Sequence, residues 1–505
     1  MTKLDNKNLD ITQKIGQVVM PRIDFNDPES LVTARRLVEE CAVGGFIIFN
    51  GTRDIVSKTT QELQEISKIP LLFGCDAERG LGQVVSDMTI FPFTMSLGAA
   101  NNLDLVYNQS SFIAQEMREC GLNLIFAPIA DVNSNPDNPI INIRSYGDEP
   151  GLVSRLCSAF IKGCQDNGIL ACAKHFPGHG RTGVDSHVDL PVQDTSLETL
   201  QCSDLIPFEK SIEAGVATIM TAHIAFPQIR DGNAVTISKG LVSDVLRDEM
   251  GFQGLVITDS LHMEGIIKLG DEQYLSQMAL NAGCDIILDP RDPFTLIQNL
   301  CNTELDLCQL NQKVERIFSA KQKLIANTNS SDSNLKDRGI KLRKQIAIDS
   351  VCQIKGEALT SKKVCVFVLD VTDSEIVISK PFTDYLEQNA ISLNKISIST
   401  GSDQNFITDD IPEDSAVISL VYTTIGAWKK QSYLPDNFKE ILKKLESVSH
   451  GTALVSFGSP YITRDFNKFK SIICSFDILD VCQVAAADVL LGKLPAKGKL
   501  PVDIS

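Results

Sequence analysis

The sequence predicts an α/β protein in which a (β/α)8 TIM-type barrel is followed by a smaller α/β sandwich domain. Eight short apolar runs recur through the first 325 residues at intervals that leave room for a helix between them, the pattern of alternating strands and helices. They are IGQVVMPRI, VGGFIIFN, PLLFGCDAE, LNLIFAPIADVN, GILACAKHF, VATIMTAHIAF, GLVITDSL and CDIILDP. Most end on a polar or charged residue, and a barrel of this kind gathers its chemistry at the C-terminal ends of its strands. An open doubly wound sheet is the structural competitor; strand number and chain length favour closure. The stretch ANTNSSDSNLKDRG at 326–339 is polar and rich in Asn and Ser, so it reads as a linker. Beyond it KVCVFVLDV, AVISLVYTT, TALVSFGS and SIICSFDI alternate with helical stretches such as DNFKEILKKLESV, which predicts a second layered domain. The expected organisation is a catalytic barrel over 1–325, a linker over 326–340 and a sandwich domain over 341–505.

At 505 residues and 43% apolar composition the chain is long enough for two packed cores. Its net charge of −17 is spread along the chain, which disfavours nucleic acid or an anionic membrane as partner and suits a small neutral ligand. The opening MTKLDNKNLDITQKIGQVVM has no apolar run behind a basic cluster, and no stretch reaches the ~20 apolar residues of a membrane span. A cytoplasmic location is expected. Fourteen cysteines occur without CxxC spacing, many inside apolar runs such as LFGCDAER, LACAKHF and KVCVFVLD. They read as buried thiols of a reducing compartment, and the same lack of paired spacing disfavours a zinc site.

The strand-end rule selects Asp76, Asp131, Lys174, His175, His223, Asp259 and Asp289 for the barrel mouth. The densest group is ACAKHFPGHGRTGVDSHVDLP at 171–191, where three of the six histidines fall within thirteen positions. Its Gly and Pro content rules out a helix and predicts a shaped loop. Asp185 and His187 stand two apart, so in an extended stretch their side chains share one side. There a carboxylate can orient an imidazole as proton donor, and the imidazole can take a proton back in a later step. A surface Asp and His that merely cap the loop are the plainer alternative. His175, His179 and His187 also raise a metal site, but Pro177 and Gly178 break the helical spacing that would set the first two on one face. Asp259 ends the apolar run LVIT. A carboxylate fixed there can attack an anomeric carbon to form a glycosyl-enzyme intermediate that water hydrolyses; capping the following helix is its alternative role.

Five segments carry a family resemblance: FAPIADVNSNPDNPIINIRSYGDEP at 126–150, KHFPGHGRTGVDSH at 174–187, MTAHIAFP at 220–227, GFQGLVITDSLHMEG at 251–265 and ALNAGCDIIL at 279–288. On these the chain resembles the family 3 glycoside hydrolases, and among them the bacterial β-N-acetylhexosaminidases of the NagZ type. The resemblance runs over most of residues 10–325, and the closing AAADVLLGKLPAKGKLPVDIS resembles the end of the family's sandwich domain. It implies a TIM barrel with Asp259 as nucleophile. It also implies that Asp185 and His187 form the Asp-His dyad that in this branch replaces the second carboxylate of a retaining glycosidase.

By the same match Asp76, Arg144, Lys174 and His175 correspond to positions that hold the sugar through its hydroxyls and acetamido group, carboxylates accepting and cations donating hydrogen bonds. One departure stands out: where the family commonly reads D-x-E-G-G-x-x-x-R, this chain has Asp76 followed by Ala77, Glu78, Arg79, Gly80, Leu81, Gly82, Gln83 and Val84. Val84 takes the place of the arginine, so one expected sugar contact is missing, and Arg79 stands displaced from it. The implied activity is release of terminal β-linked GlcNAc with retention, from peptidoglycan-derived GlcNAc-anhydro-muropeptides, with no metal, nucleotide or other cofactor. The rival readings are a family 3 glycosidase of other sugar specificity, a phosphorylase that passes the glycosyl group to phosphate, and a sugar-binding protein without catalysis. Intact Asp185, His187 and Asp259 argue against the last.

Overall fold

The computed structural model describes residues 6–325, 334–372, 378–398, 411–412, 414–425, 434–448 and 451–504. They form two compact units, one of Met1–Ile90, Leu103–Val132 and Val153–Gly339, the other of Phe91–Asn102, Asn133–Leu152 and Ile340–Ser505. Of the expected linker, residues 326–333 lie outside the described residues, while 335–340 open a helix, Leu335–Ser350.

In the first unit the eight expected runs each supply a strand. They are β1 (Val19–Met20) with β2 (Arg22–Asp24), then β3 (Gly45–Phe49), β4 (Leu72–Cys75), β5 (Leu124–Ile125), β6 (Leu170–Phe176), β7 (Thr218–Thr221), β8 (Leu255–Thr258) and β9 (Ile287–Leu288). The first run is split because Pro21 between β1 and β2 has no N–H to donate. From β2 to β8 the strands pair in parallel in chain order. Closure comes from β9, which pairs in parallel with β1 through Val19 to Ile287 and Met20 to Leu288, while Ile257 of β8 bridges Ile286. The sheet is therefore a closed TIM-type barrel, not the open competitor.

Strands such as LFGC, TIMT and LVIT are buried at every position, which explains why the runs are continuously apolar and not alternating. The run LNLIFAPIADVN contributes only Leu124–Ile125 as regular strand. Pro128 removes a donor, and the chain rejoins the sheet through Ile129 beside Lys174 and the Ala130 N–H to the Lys174 carbonyl at 2.7 Å. Helices between strands start where the sequence offers caps: Asp27, Ser196, Asp271 and Asp292 each accept an N–H of the first turn.

The second unit holds a sheet of β10 (Cys352–Lys355), β11 (Lys363–Asp370), β12 (Ser392–Ile398), β13 (Ala416–Tyr422), β14 (Thr452–Phe457) and β15 (Ser471–Cys474). Their order is β10-β15-β14-β13-β11-β12, parallel except for β10 against β15. Alternation along β11 divides two cores: Val364, Val366 and Val368 pack with Phe382, Tyr422 and Ala486, whereas Cys365, Phe367 and Leu369 pack with Phe438, Leu442 and Phe466. That is a sheet covered on both faces, the α/β sandwich expected. A third cluster joins Met95, Ala99 and Ile143 to Cys352, Cys474 and Phe476, which is why the segments 91–102 and 133–152 belong to this unit. All fourteen cysteines are free and eleven are buried, so they serve as small apolar core residues. Among the described residues no helix is long and apolar enough to cross a membrane.

Candidate active site

The residues that close the barrel strands meet at one rim. Lys174, nearly buried on β6, sets its ammonium between the Asp76 carboxylate at 2.5 Å and the Glu78 carboxylate at 2.9 Å. Asp76 keeps 36% of its side-chain surface exposed and Glu78 only 6%, so Asp76 is the one that can meet a ligand. His175 follows, and its peptide with Lys174 is cis. Asp131, after β5, is fully buried and accepts from the His175 ring Nδ1–H at 2.7 Å, the His175 N–H at 3.1 Å and the His179 N–H at 2.6 Å. Burial alone would raise its carboxyl, but His175 through charge and hydrogen bond, aided by His179, outweighs that and holds it below the usual range. Asp131 therefore orients His175 and anchors the loop behind it; it does not face the mouth.

That loop runs over residues 177–190 without helix or strand. Its first turn needs Gly178, at φ +131°, where a Cβ would meet the Asp204 side chain at 2.9 Å. Arg181 ties the loop to Asp204 at 2.7 Å. His179 is its hub, with Nδ1 bonded to the Thr182 hydroxyl at 2.8 Å and Nε2 to the Ser186 hydroxyl at 2.9 Å. Asp185 and His187 are not on an extended stretch as the sequence suggested. Residues 185–189 form a turn, closed by the Val188 and Asp189 N–H groups on the Asp185 carbonyl. Within it one oxygen of Asp185 accepts both the His187 N–H at 2.9 Å and its ring Nδ1–H at 2.8 Å. Asp185 is buried while the His187 ring keeps 25% of its surface exposed, an arrangement that fixes the imidazole and still lets it reach a ligand. The turn rests on the chain after β8, where the Gly265 N–H donates to the Ser186 carbonyl at 3.1 Å and a Cβ at Gly265 would come within 2.7 Å of that oxygen.

Burial first, and the neighbouring His175 second, push the His179 imidazole down to about 4. An unfolded histidine takes its proton near ~6.5, so between these values the unfolded chain binds one proton more. Stability is then expected to fall by about 3 kcal/mol as pH drops across that window. Urea titrations of wild type and His179→Gln at pH 7 and pH 4.5 test this: the wild type is expected to lose more stability between the two, and parallel losses would contradict it.

Asp259 stands directly after β8, its N–H donating to the Thr221 carbonyl and its carboxylate accepting the Ser260 N–H at 2.8 Å. Burial pushes its carboxyl up, but His175, His223, His187 and Lys174 together outweigh that and hold it below the ordinary value. It is ionised at neutral pH. Ser260 is itself held twice, by the Asp289 carboxylate at 2.7 Å and by the His223 Nε2–H on its carbonyl at 3.1 Å. Since His223 donates through Nε2 and burial keeps it neutral, its Nδ1 accepts from Thr236 at 2.8 Å, with Thr221 behind Thr236 at 3.0 Å. Asp289 pairs with Arg22 through two bonds of 2.7 and 2.5 Å. His223 and Asp289 thus brace the strand end that carries Asp259.

Arg144 belongs to the second unit, where it donates to the Ile140 carbonyl at 2.9 Å. Local sequence does not single out Glu78, two residues beyond Asp76, or the hub role of His179; both follow from contacts with Lys174 and with Thr182 and Ser186. Among the described residues no group of three His, Cys, Asp or Glu side chains is placed to hold a metal ion.

Residues 10–320 match the glycosyl hydrolase family 3 N-terminal domain. The chain belongs to glycosyl hydrolase family 3. It is a glycoside hydrolase, and its relatives extend the match beyond the barrel. Beta-hexosaminidase A of Pseudoalteromonas piscicida is 28% identical over 93% of this family 3 chain and 90% of its own length. Beta-hexosaminidase of Thiobacillus denitrificans is 34% identical over 54% of this chain and 78% of its own. Among solved structures, a family 3 beta-N-acetylglucosaminidase from Paenibacillus sp. str. FPU-7 superposes on the family 3 chain with a TM-score of 0.86 at 28% identity, covering 98% of this chain and 99% of that one.

Proposed function

We propose that the chain is a retaining exo-β-N-acetylglucosaminidase that works by double displacement. Asp259 attacks the anomeric carbon as His187 protonates the departing glycosidic oxygen; His187 then removes a proton from the water that displaces the Asp259 carboxylate, and the cycle closes with the configuration retained. The observation that carries this reading is the pairing of a part-exposed imidazole with a buried carboxylate, on a loop seated against the chain that leaves an ionised Asp259. Asp185 orients the ring and balances the imidazolium when His187 holds the proton. Asp76, Lys174 and His175 bind the sugar at the rim. The hexosaminidase names of both relatives, and the beta-N-acetylglucosaminidase name of the Paenibacillus structure, favour the acetamido sugar. Cytoplasmic peptidoglycan fragments are the natural source of such a residue.

Hydrolysis of an aryl β-N-acetylglucosaminide beside the matching aryl β-glucoside, with and without inorganic phosphate, tests the reading. The acetamido sugar is expected to be preferred by about tenfold or more in kcat/KM, with free GlcNAc as product in both buffers. A glucoside preference refutes the substrate, and a sugar phosphate refutes hydrolysis.

A further inference from the structure

The loop that carries His187 is fastened on two flanks. Beyond β8 the Gly265 N–H reaches the Ser186 carbonyl and Lys268 pairs with Asp189. On the other flank the loop meets the connection between the helices Leu197–Gln201 and Ile206–Glu213, which link β6 to β7. There the buried Asp204 lies against Gly178, and one of its oxygens accepts from the Arg181 Nε–H at 2.7 Å. Its other oxygen, Oδ1, is buried without a hydrogen bond, and burial pushes the carboxyl up against the pull of Arg181. A buried carboxylate with an unmet oxygen is costly to keep, and an ion pair taken out of water adds little net stability. The worth of the pair therefore lies in where it puts Arg181.

From Arg181 a chain of contacts runs to the proton donor. Thr182 is the next residue; its hydroxyl bonds Nδ1 of His179 at 2.8 Å, Nε2 of the same ring bonds the Ser186 hydroxyl at 2.9 Å, and Ser186 stands between Asp185 and His187. A shift of residue 181 therefore moves Thr182, turns the His179 ring and reaches the turn that aims His187. The sugar-binding rim is held separately, since His175 takes its own two bonds to Asp131 and Lys174 pairs with Asp76 and Glu78. We propose that the Arg181–Asp204 pair is a positioning device for the proton donor, which sets the aim of His187 through Thr182, His179 and Ser186 and takes no part in holding the sugar. The proposal rests on His187 being the proton donor, as argued above.

A misaimed acid slows bond cleavage only where the departing oxygen needs a proton, so the test compares 2,4-dinitrophenyl with phenyl β-N-acetylglucosaminide in the full chain. Arg181→Ala is expected to lower kcat/KM on the phenyl substrate by about tenfold or more and to change it by less than about twofold on the dinitrophenyl one. Arg181→Lys, which keeps a cation within reach of Asp204, is expected to recover part of the loss. Asp204→Asn is expected to share the selective loss and to add little when combined with Arg181→Ala, because the two residues act as one unit. Equal losses on both substrates, or no loss on either, overturn the proposal, as does full additivity of the two substitutions. His187→Ala, measured beside them, separates the two readings. If it too loses equally on both substrates, the assignment of the proton donor falls and the positioning role with it; a selective loss in His187→Ala without one in Arg181→Ala overturns the positioning role alone.

Discussion

Replacing Asp259 by Ala is expected to lower turnover by about 10,000-fold or more while leaving the protein folded. The carboxylate accepts one backbone N–H, from Ser260, and the strand end beneath it is held independently by the Asp289 and His223 bonds to Ser260. Its removal therefore spares the frame and deletes the proposed nucleophile. Azide, small enough to enter the vacated space, is expected to restore cleavage of activated substrates and to leave an α-glycosyl azide, because it attacks from the face that Asp259 occupied. Circular dichroism and thermal melting check the fold, and nitrophenol release with product analysis checks the chemistry. Undiminished activity of the purified variant removes Asp259 from the reaction. The pH profile carries a second signature of the same group. Because the surrounding histidines and Lys174 hold the Asp259 carboxyl low, it stays ionised as pH falls to the ordinary carboxylate range near ~3.9, and the acid limb of kcat/KM that it sets lies below that value.

The barrel was legible because strands covered on both faces need apolar side chains at every position, and that requirement writes eight uninterrupted runs into the chain. Strand ends were legible for the same reason, since a charge stops the run. What a strand-end charge then does is decided by neighbours far away in sequence. Asp76, Asp131 and Asp289 look alike on the page, yet Asp76 stays part-exposed beside Lys174, Asp131 is sealed under His175 and His179, and Asp289 turns to Arg22 and Ser260. Local pattern cannot separate a carboxylate that meets ligand from one that holds another residue in place. The Asp185–His187 pair was legible from its spacing, although a turn and not an extended stretch brings the two together. The segments 91–102 and 133–152 lie between barrel strands in the sequence, yet their apolar residues Met95 and Ile143 pack with Cys474 and Phe476, a preference that only tertiary contacts express.

Replacing His187 by Ala is expected to act through the leaving group. With a dinitrophenyl aglycone, whose phenolate departs without help, the first step needs little protonation and the loss is expected to be small. With an alkyl or sugar aglycone the oxygen must be protonated as the bond breaks, and the loss is expected to be on the order of 100- to 10,000-fold. A plot of log kcat/KM against leaving-group acidity should therefore be much steeper for the variant than for the wild type, and parallel slopes would assign the proton to another residue. Asp185→Asn should fall between the two, because the amide still bonds the turn but no longer balances an imidazolium. The second step distinguishes this histidine from a mere binding residue. In the proposed second step His187 is also the base that activates water, so in His187→Ala the intermediate is expected to form readily from the dinitrophenyl substrate and to decay slowly. A burst of dinitrophenol equal to the enzyme concentration, followed by a slow steady state, is the expected trace; its absence, with both steps slowed alike, would mean that His187 holds the substrate and does not move the proton.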